Sequence, residues 1–349
     1  MKTIVTSFQA FCGDCILVSF QQEYETQTRH IIIDAGYAQT YHRTLSKAVQ
    51  KIVDNMERIS LFVLTHIDND HLGGVVPFIK EFSDGIVDAF WMNHSPSEII
   101  VTSGGPIGVK QGITLRDLLA TGQKLNSEPI IAGQIHKIDN VNLFILSPDF
   151  DQHNRFLEKW EAQEKTLQQQ KKSISSGLKD HNLSIDLLVQ NLFNPDTSWR
   201  NRSSIAFLLF VGEFTGLFTG DAHADVVINS LKEMGYSHHN PITLSLFKVS
   251  HHGSKGNTNE ELLQLVDCQH YLISTNGANQ HQLPHKEALA RIVKAAHQRH
   301  PTVPIHLYFT YNDSILQSLF TLQEIEQYNI CCHYPSNYEN SISIIYHDS

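Results

Sequence analysis

The chain has 349 residues, with 26 Lys and Arg against 36 Asp and Glu, giving a formal net charge of −10. Hydrophobic residues make up 41% and charged residues 18%, the composition of a globular protein with a core and not of a disordered chain. No apolar run approaches the ~18 residues of a membrane-crossing helix, which speaks against a channel, and the acidic total speaks against binding nucleic acid through bulk positive charge.

In chain order, residues 16–20 and 30–34 read as strands joined by a polar turn. Residues 44–57 read as a helix, because Leu45, Ala48, Val49, Ile52, Val53 and Met56 recur at steps of three and four. The nearly all-apolar stretch 59–65 is a strand with both faces covered. Residues 73–82 look helical and 86–92 return to strand. Residues 104–112 form a Gly-rich loop without a phosphate-cradle pattern, and 141–147 are a strand closed by Pro148. In the second half, 205–211 and 215–220 read as a hairpin, 224–234 as a helix, and 244–250 as a strand ending in histidines. A helix at 260–266, a strand at 270–275 and a helix at 286–297 follow. This alternation predicts a single α/β domain over residues 1–349, with helices outside the sheets.

Residues 151–200 break the pattern. Seven basic residues balance seven acidic ones there, and a Gln and Lys run occupies 168–172. The expectation is a polar helical insertion within the domain, either a solvated excursion or a lid or partner-binding arm.

Five cysteines without regular spacing make no disulfide framework. Cys12-x-x-Cys15 has no second pair to complete a zinc site, so both read as small residues of an N-terminal strand. The N-terminal stretch has one basic residue, Lys2, and is interrupted by Gln9 and Asp14, which is not a secretory signal pattern. The expected compartment is a reducing cytoplasm.

The 21 histidines stand out against this background. After the buried strand 59–65 comes His66-Ile67-Asp68-Asn69-Asp70-His71-Leu72-Gly73-Gly74, four metal-competent side chains in six residues at a strand end. Helix capping explains one aspartate there, but not two histidines flanking two carboxylates. Gly73 and Gly74 allow a tight turn into the next helix.

This stretch resembles the metallo-β-lactamase superfamily signature HxHxDH followed by Gly-Gly, with Asp68 in place of the second His. That variant resembles the hydrolase domain of ComEC-type competence DNA-uptake proteins. Gly13-Asp14, the strand ending in Asp34-Ala35-Gly36, Asn201-Arg202-Ser203-Ser204, Thr219-Gly220-Asp221, His251-His252-Gly253-Ser254, and the segment from Asn276-Gly277 to Pro284-His285 follow in the same order. The resemblance spans residues 13–285 and implies an α/β, four-layer αββα sandwich with a dinuclear metal site. By position, His66 and Asp68 would bind one ion, Asp70 and His71 the other, and Asp221 would bridge them. His251 is favoured as the last ligand, with His285 a rival, and His252 or His285 would protonate the leaving oxygen. Asp14 and Asp34 would shape the floor of the site. Where the superfamily usually supplies a His for the first ion, this chain has Asn201. With Asp68 this makes the first site oxygen-rich, which favours Mn²⁺, with Zn²⁺ as the other candidate.

The implied activity is hydrolysis by a metal-activated water that Asp70 orients, on DNA or another phosphodiester. Lys110, Arg202, Lys248 and Lys255 are candidate phosphate contacts. Two other functions fit the same sequence: hydrolysis of a small molecule such as a cyclic nucleotide, phosphocholine ester or lactone, or partner binding through residues 151–200.

Overall fold

A computed structural model describes residues 2–21, 27–95, 107–120, 124–166 and 180–348. Strands β1 (Lys2–Phe8), β2 (Ile16–Gln21), β3 (Thr28–Ile33), β4 (Arg58–Leu64) and β5 (Phe90–Met92) form one sheet. The second sheet holds β6 (Ile135–Ile138), β7 (Val141–Ser147), β8 (Ala206–Val211), β9 (Phe214–Phe218), β11 (Leu246–Lys248), β13 (His270–Ile273), β14 (Ile305–Phe309) and β15 (Ile330–His333). A short parallel pair, β10 (Ile242–Leu244) and β12 (Val266–Cys268), stands apart. The last strand, β16 (Ser341–His347), returns to the first sheet beside β1, giving the orders β16-β1-β2-β3-β4-β5 and β15-β14-β13-β11-β9-β8-β7-β6.

The period-two geometry of the strands sorts their side chains between two faces. On β4, Leu61 and Val63 face the second sheet, and Ile59, Phe62 and Leu64 face the helices. The inter-sheet core joins Val18, Ile31 and Val63 to Leu143, Phe207, Leu209 and Leu272. The helices Leu45–Asp54, Val75–Phe82 and Phe150–Thr166 cover the outer face of the first sheet. The helices Ala224–Glu233, Glu260–Leu265 and Lys286–Arg299 cover that of the second. The result is the four-layer αββα sandwich.

Several elements differ from expectation. Within the expected strand 86–92 only Phe90–Met92 forms a strand, after a short 3₁₀ turn at Asp84–Ile86 and a single bridge from Val87 to Ile59. The expected loop 104–112 is helical from Ile107, within the helix Ile107–Ala120, while residues 104–106 lie outside the described residues. Gly112 is there for space, since a Cβ on it would meet the Trp160 ring at 2.6 Å. The expected strand 244–250 splits at Ser245: β10 leaves for its own pair, and Ser245 exchanges hydrogen bonds with Thr215. The described parts of 151–200, residues 151–166 and 180–200, carry apolar anchors that their composition hides, with Phe156, Trp160, Ile185 and Leu188 all buried. The 168–172 run lies outside the described residues. Beyond residue 297 the chain continues through β14, β15 and β16, which complete both sheets. All five cysteines are free thiols. Among the described residues no helix is long and apolar enough to cross a membrane.

Candidate metal centre

Five strand ends converge at one edge of the sandwich. Asp34 follows β3, Thr65 and His66 follow β4, Asp221 follows β9, His251 and His252 follow β11, and Ser274 follows β13. Within each sheet these strands run parallel, so their C-terminal ends project polar groups into a shared crevice. The sheets meet where the Ile205 N–H donates to the Thr65 carbonyl at 2.8 Å. Gly220 has φ +50°, and a Cβ on it would meet the Thr65 side chain at 2.9 Å. Glycine supplies both the left-handed conformation and the close approach.

Asp221 lies at the centre. Its Oδ2 is 3.7 Å from His66 Nε2 and 3.7 Å from His251 Nε2. Its Oδ1 is 3.4 Å from His71 Nε2 and 3.6 Å from His252 Nε2. Asp68 Oδ2 is 3.9 Å from His66 Nε2, on the first side. Asp70 Oδ2 is 3.5 Å from His252 Nε2 and 3.9 Å from His71 Nε2, on the second. One carboxylate therefore faces two donor groups, one oxygen to each. The Nε2 atoms of His66, His71 and His252, and Asp221 Oδ1, are buried without a hydrogen-bond partner. Leaving such atoms unsatisfied costs about 1–3 kcal/mol each. Four of them aimed at one space fit a site for bound cations.

The opposite ring nitrogens are all held, which fixes each imidazole with Nε2 inward. His71 Nδ1 lies 2.7 Å from Asp34 Oδ2, and Asp34 accepts hydrogen bonds from the Thr65 N–H at 2.8 Å and hydroxyl at 2.7 Å. His252 Nδ1 lies 3.0 Å from the Ser274 carbonyl, which can only accept, so that nitrogen carries the proton. His251 Nδ1 sits 3.0 Å from Asn257 Oδ1 and 3.2 Å from Asp196 Oδ2. Asp196 Oδ2 also accepts from Asn201 Nδ2 at 2.7 Å and Asn257 Nδ2 at 3.2 Å. Arg200 Nε pairs with Asp68 Oδ1 at 2.8 Å, leaving Oδ2 to face His66. Below, Asp14 is ion-paired with Lys248 and accepts from the Ser274 hydroxyl.

His251 and His252 both occupy the left-handed region, at φ 48°, ψ 49° and φ 55°, ψ 25°. For non-glycine residues this costs ~1 kcal/mol or more each. The conformation lets two neighbouring side chains diverge onto different oxygens of Asp221.

The charges respond to this crowding. Burial resists protonation of His71, but the carboxylates of Asp221, Asp34 and Asp70 carry its pKa well above the usual value. Burial likewise resists charge on His251, yet Asp221 and Asp196 raise it to about 9. His66 goes the other way, held down to about 3 by burial and by His71. Burial raises Asp68 to about 6 against the pull of Arg200. Burial works against ionisation of Asp70 too, but His71 and His252 bring it down to about 2. In the bare protein, protonated imidazoles offset charge that cations would otherwise neutralise.

Several expected roles change. His252, expected as a proton donor, points its Nε2 into the second donor group beside Asp70 and His71. His251 stands on the first side, with Asn201 holding it from behind at 3.3 Å. The first side thus has two imidazoles and two carboxylates and is not oxygen-rich. The reason for favouring Mn²⁺ falls away with that. His285 is outside the cluster: its Nδ1 accepts from the Lys255 N–H at 3.2 Å, and its own N–H donates to the Gly253 carbonyl at 3.0 Å. Burial lowers its pKa to about 4. Lys248 is buried against Asp14 and not free for phosphate. Arg202 pairs with Asp225 and Lys255 with Glu287, while the Lys110 side chain lies outside the described ones. Sequence reasoning missed Asp196, Asn257 and Arg200. Asn257 comes six residues after His251, and Asp196 five before Asn201, so proximity to the motifs was the available signal.

Residues 14–87 match the Metallo-beta-lactamase superfamily. The chain is 21% identical over 237 residues to ComE operon protein 3 of Bacillus subtilis (strain 168), an alignment covering 67% of this chain and 22% of that protein. It thus spans about a fifth of that curated relative. Similar solved structures include the metallo-beta-lactamase fold protein YhfI from Bacillus subtilis, at 10% identity with 99% of each chain covered and a TM-score of 0.44. Unliganded yeast PDE1 is similar at 10% identity, with 98% of this chain and 99% of that one covered and a TM-score of 0.44. With the sandwich and the strand-end donors already described, the match over residues 14–87 is to a metallo-beta-lactamase superfamily domain, and the chain has weak similarity to ComE operon protein 3.

Proposed function

We propose that the protein is a two-metal phosphodiesterase that hydrolyses DNA. The observation that carries this reading is the division of Asp221, with one oxygen toward His66 and His251 and the other toward His71 and His252. His66, Asp68, His251 and Asp221 Oδ2 would hold one divalent cation. Asp70, His71, His252 and Asp221 Oδ1 would hold the other. Bound there, two cations supply Lewis acidity, lowering the pKa of water and offsetting charge on an attacked phosphoryl group. Asp70 accepts a hydrogen bond from the attacking water and orients it. Asp34, Asp196 and the Ser274 carbonyl keep the imidazoles in register. His285 is neutral near pH 7, so the leaving oxygen takes its proton from solvent. Each donor group combines two imidazoles with two carboxylates, a set that accepts Zn²⁺ or Mn²⁺. DNA as substrate rests on the resemblance to ComEC-type hydrolase domains.

The test compares wild type with Asp70→Ala on linear DNA, circular DNA and a small phosphodiester, after chelation and reloading with Mn²⁺ or Zn²⁺. Metal-dependent cutting of DNA that the variant loses is the expected result. Cutting of the small diester alone moves the function to small molecules. No cutting of any substrate with either metal overturns the reading.

A further inference from the structure

The Leu45–Asp54 helix presents a basic edge that the metal centre does not use. Lys47 and Lys51 are one helical turn apart, a rise of roughly 6 Å, and Arg43 stands in the turn that precedes the helix. All three are exposed, and among the described residues none is in an ion pair. They line a groove of about 490 Å³ whose other wall is the 338–343 segment. Its one carboxylate, Glu57, is hydrogen-bonded to His30 at 3.0 Å. Tyr338 stands on the rim, 98% exposed. On a chain of net charge −10, three cations outside any ion pair, against one carboxylate among the described lining residues, are a local reversal of sign.

The Arg43 end of the groove packs against the turn after β1, and that turn packs against the metal centre. The Arg43 guanidinium lies 5.2 Å over the Phe11 ring. Phe11 packs edge-on against Tyr37 at 5.8 Å, and its N–H donates to the Tyr311 hydroxyl at 2.7 Å. Two residues on, Gly13 lies so close to Asp70 that a Cβ would meet the Asp70 carbonyl at 2.2 Å. The Asp14 N–H donates to that same carbonyl at 3.2 Å. One short segment thus has Arg43 at one end and Asp70 at the other, with two aromatic rings between them.

We propose that this groove is the track by which a single strand of nucleic acid reaches the metal centre, its phosphates on Arg43, Lys47 and Lys51 and a base stacked on Tyr338. The inference rests on the phosphodiesterase reading above and adds where the polymer lies. Cations along one wall engage a backbone without reading sequence. An exposed aromatic ring suits an unpaired base and has no partner in an intact duplex.

The experiment measures fluorescence anisotropy of a labelled oligothymidylate of about 20 nucleotides, longer than single-strand sites of ~4–16, on the purified full chain before any cutting is visible. The triple variant Arg43→Gln, Lys47→Gln, Lys51→Gln is expected to bind about tenfold or more weakly. Its slope of log affinity against log salt is expected to be shallower by about 2, at ~0.7 per phosphate contact. Tyr338→Ala should weaken binding without changing the slope, and Lys47→Arg, Lys51→Arg should restore wild-type behaviour. Hydrolysis of bis(p-nitrophenyl) phosphate, too short to span the groove, should be unchanged in every variant, which also reports intact folding. Wild-type affinity and slope in the triple variant, no binding by wild type at low salt, or tighter binding of a duplex of equal length would each overturn the track. A wild type that cuts DNA while the triple variant binds and cuts equally well sinks the track and leaves the phosphodiesterase reading standing. Salt-dependent binding lost in the triple variant, with no DNA cut by any form, supports the track and sinks that reading.

Discussion

The two walls of the metal centre are assembled by different means. His66, Asp68, Asp70 and His71 come from one short turn after β4, and local geometry alone sets their spacing. The opposing wall draws on Asp196, Asp221, His251, His252 and Asn257, with Asp196 and Asn257 61 residues apart yet hydrogen-bonded. That wall depends on the register of β9 and β11, on a left-handed Gly220, and on two left-handed histidines. A contiguous donor set takes its spacing from one turn, with His71 still steadied by Asp34 and Asp68 by Arg200, whereas a dispersed one takes both spacing and orientation from the fold. The dispersed wall is therefore the one that outer residues should control most strongly.

The largest expected effect is at the shared carboxylate. Asp221→Ala should lose both ions, with affinity falling by more than the ~100-fold that outer-support residues reach, whereas Asp68→Ala should lose only the first. Metal analysis after dialysis separates these, and an Asp221 variant that retains both ions breaks the account. Next, His252→Ala should lose the second ion while His285→Ala keeps both. The reverse result would return His285 to the centre. Third, Asp196→Ala and Asp34→Ala should each cost about 10–100-fold in metal affinity, with the larger loss at Asp196, because it steadies His251, Asn201 and Asn257 together. Equal losses would erase the distinction between the walls.

The pH dependence is a gentler probe. His251 holds its proton up to about 9 in the metal-free protein, so binding an ion at neutral pH must release that proton. Affinity should rise with pH, by roughly tenfold per unit for each proton released, and level off above about 9. Titration calorimetry in buffers of different ionisation enthalpy reads the released protons directly, and none at pH 7 contradicts the assignment. The smallest effect is outside the centre. Burial, with His306 and His333, lowers His270 to about 4. A depressed histidine favours the folded state above its unfolded pKa of about 6.5. That contribution is lost as pH falls from there toward 4, and His270→Gln should flatten the loss in acid melts.

What the sequence disclosed follows the same division. The 66–74 stretch was legible because strand, turn and donors are contiguous, and the helix at Leu45–Asp54 because its period is regular. The direction of the His252 side chain was not, because adjacent residues ordinarily point along predictable directions and only the φ values of His251 and His252 reveal that both turn toward Asp221. Trp160 was hidden in a polar segment, where one buried ring outweighs many charged neighbours. The C-terminal strands were missed because β14 and β15 are short and β16 alternates burial against a partner more than 300 residues away.

That last pairing bears on how the chain is made. β16 pairs with β1 in a register running from Lys2 opposite His347 to Phe8 opposite Ser341. During synthesis β1 emerges more than 300 residues before its partner, so that border of the first sheet stays unsealed until β16 has been made. Contacts of such sequence separation slow folding, and an open strand edge is a template for pairing with another chain. Ribosome-bound intermediates in which β1 is made and β16 is not should therefore be aggregation-prone.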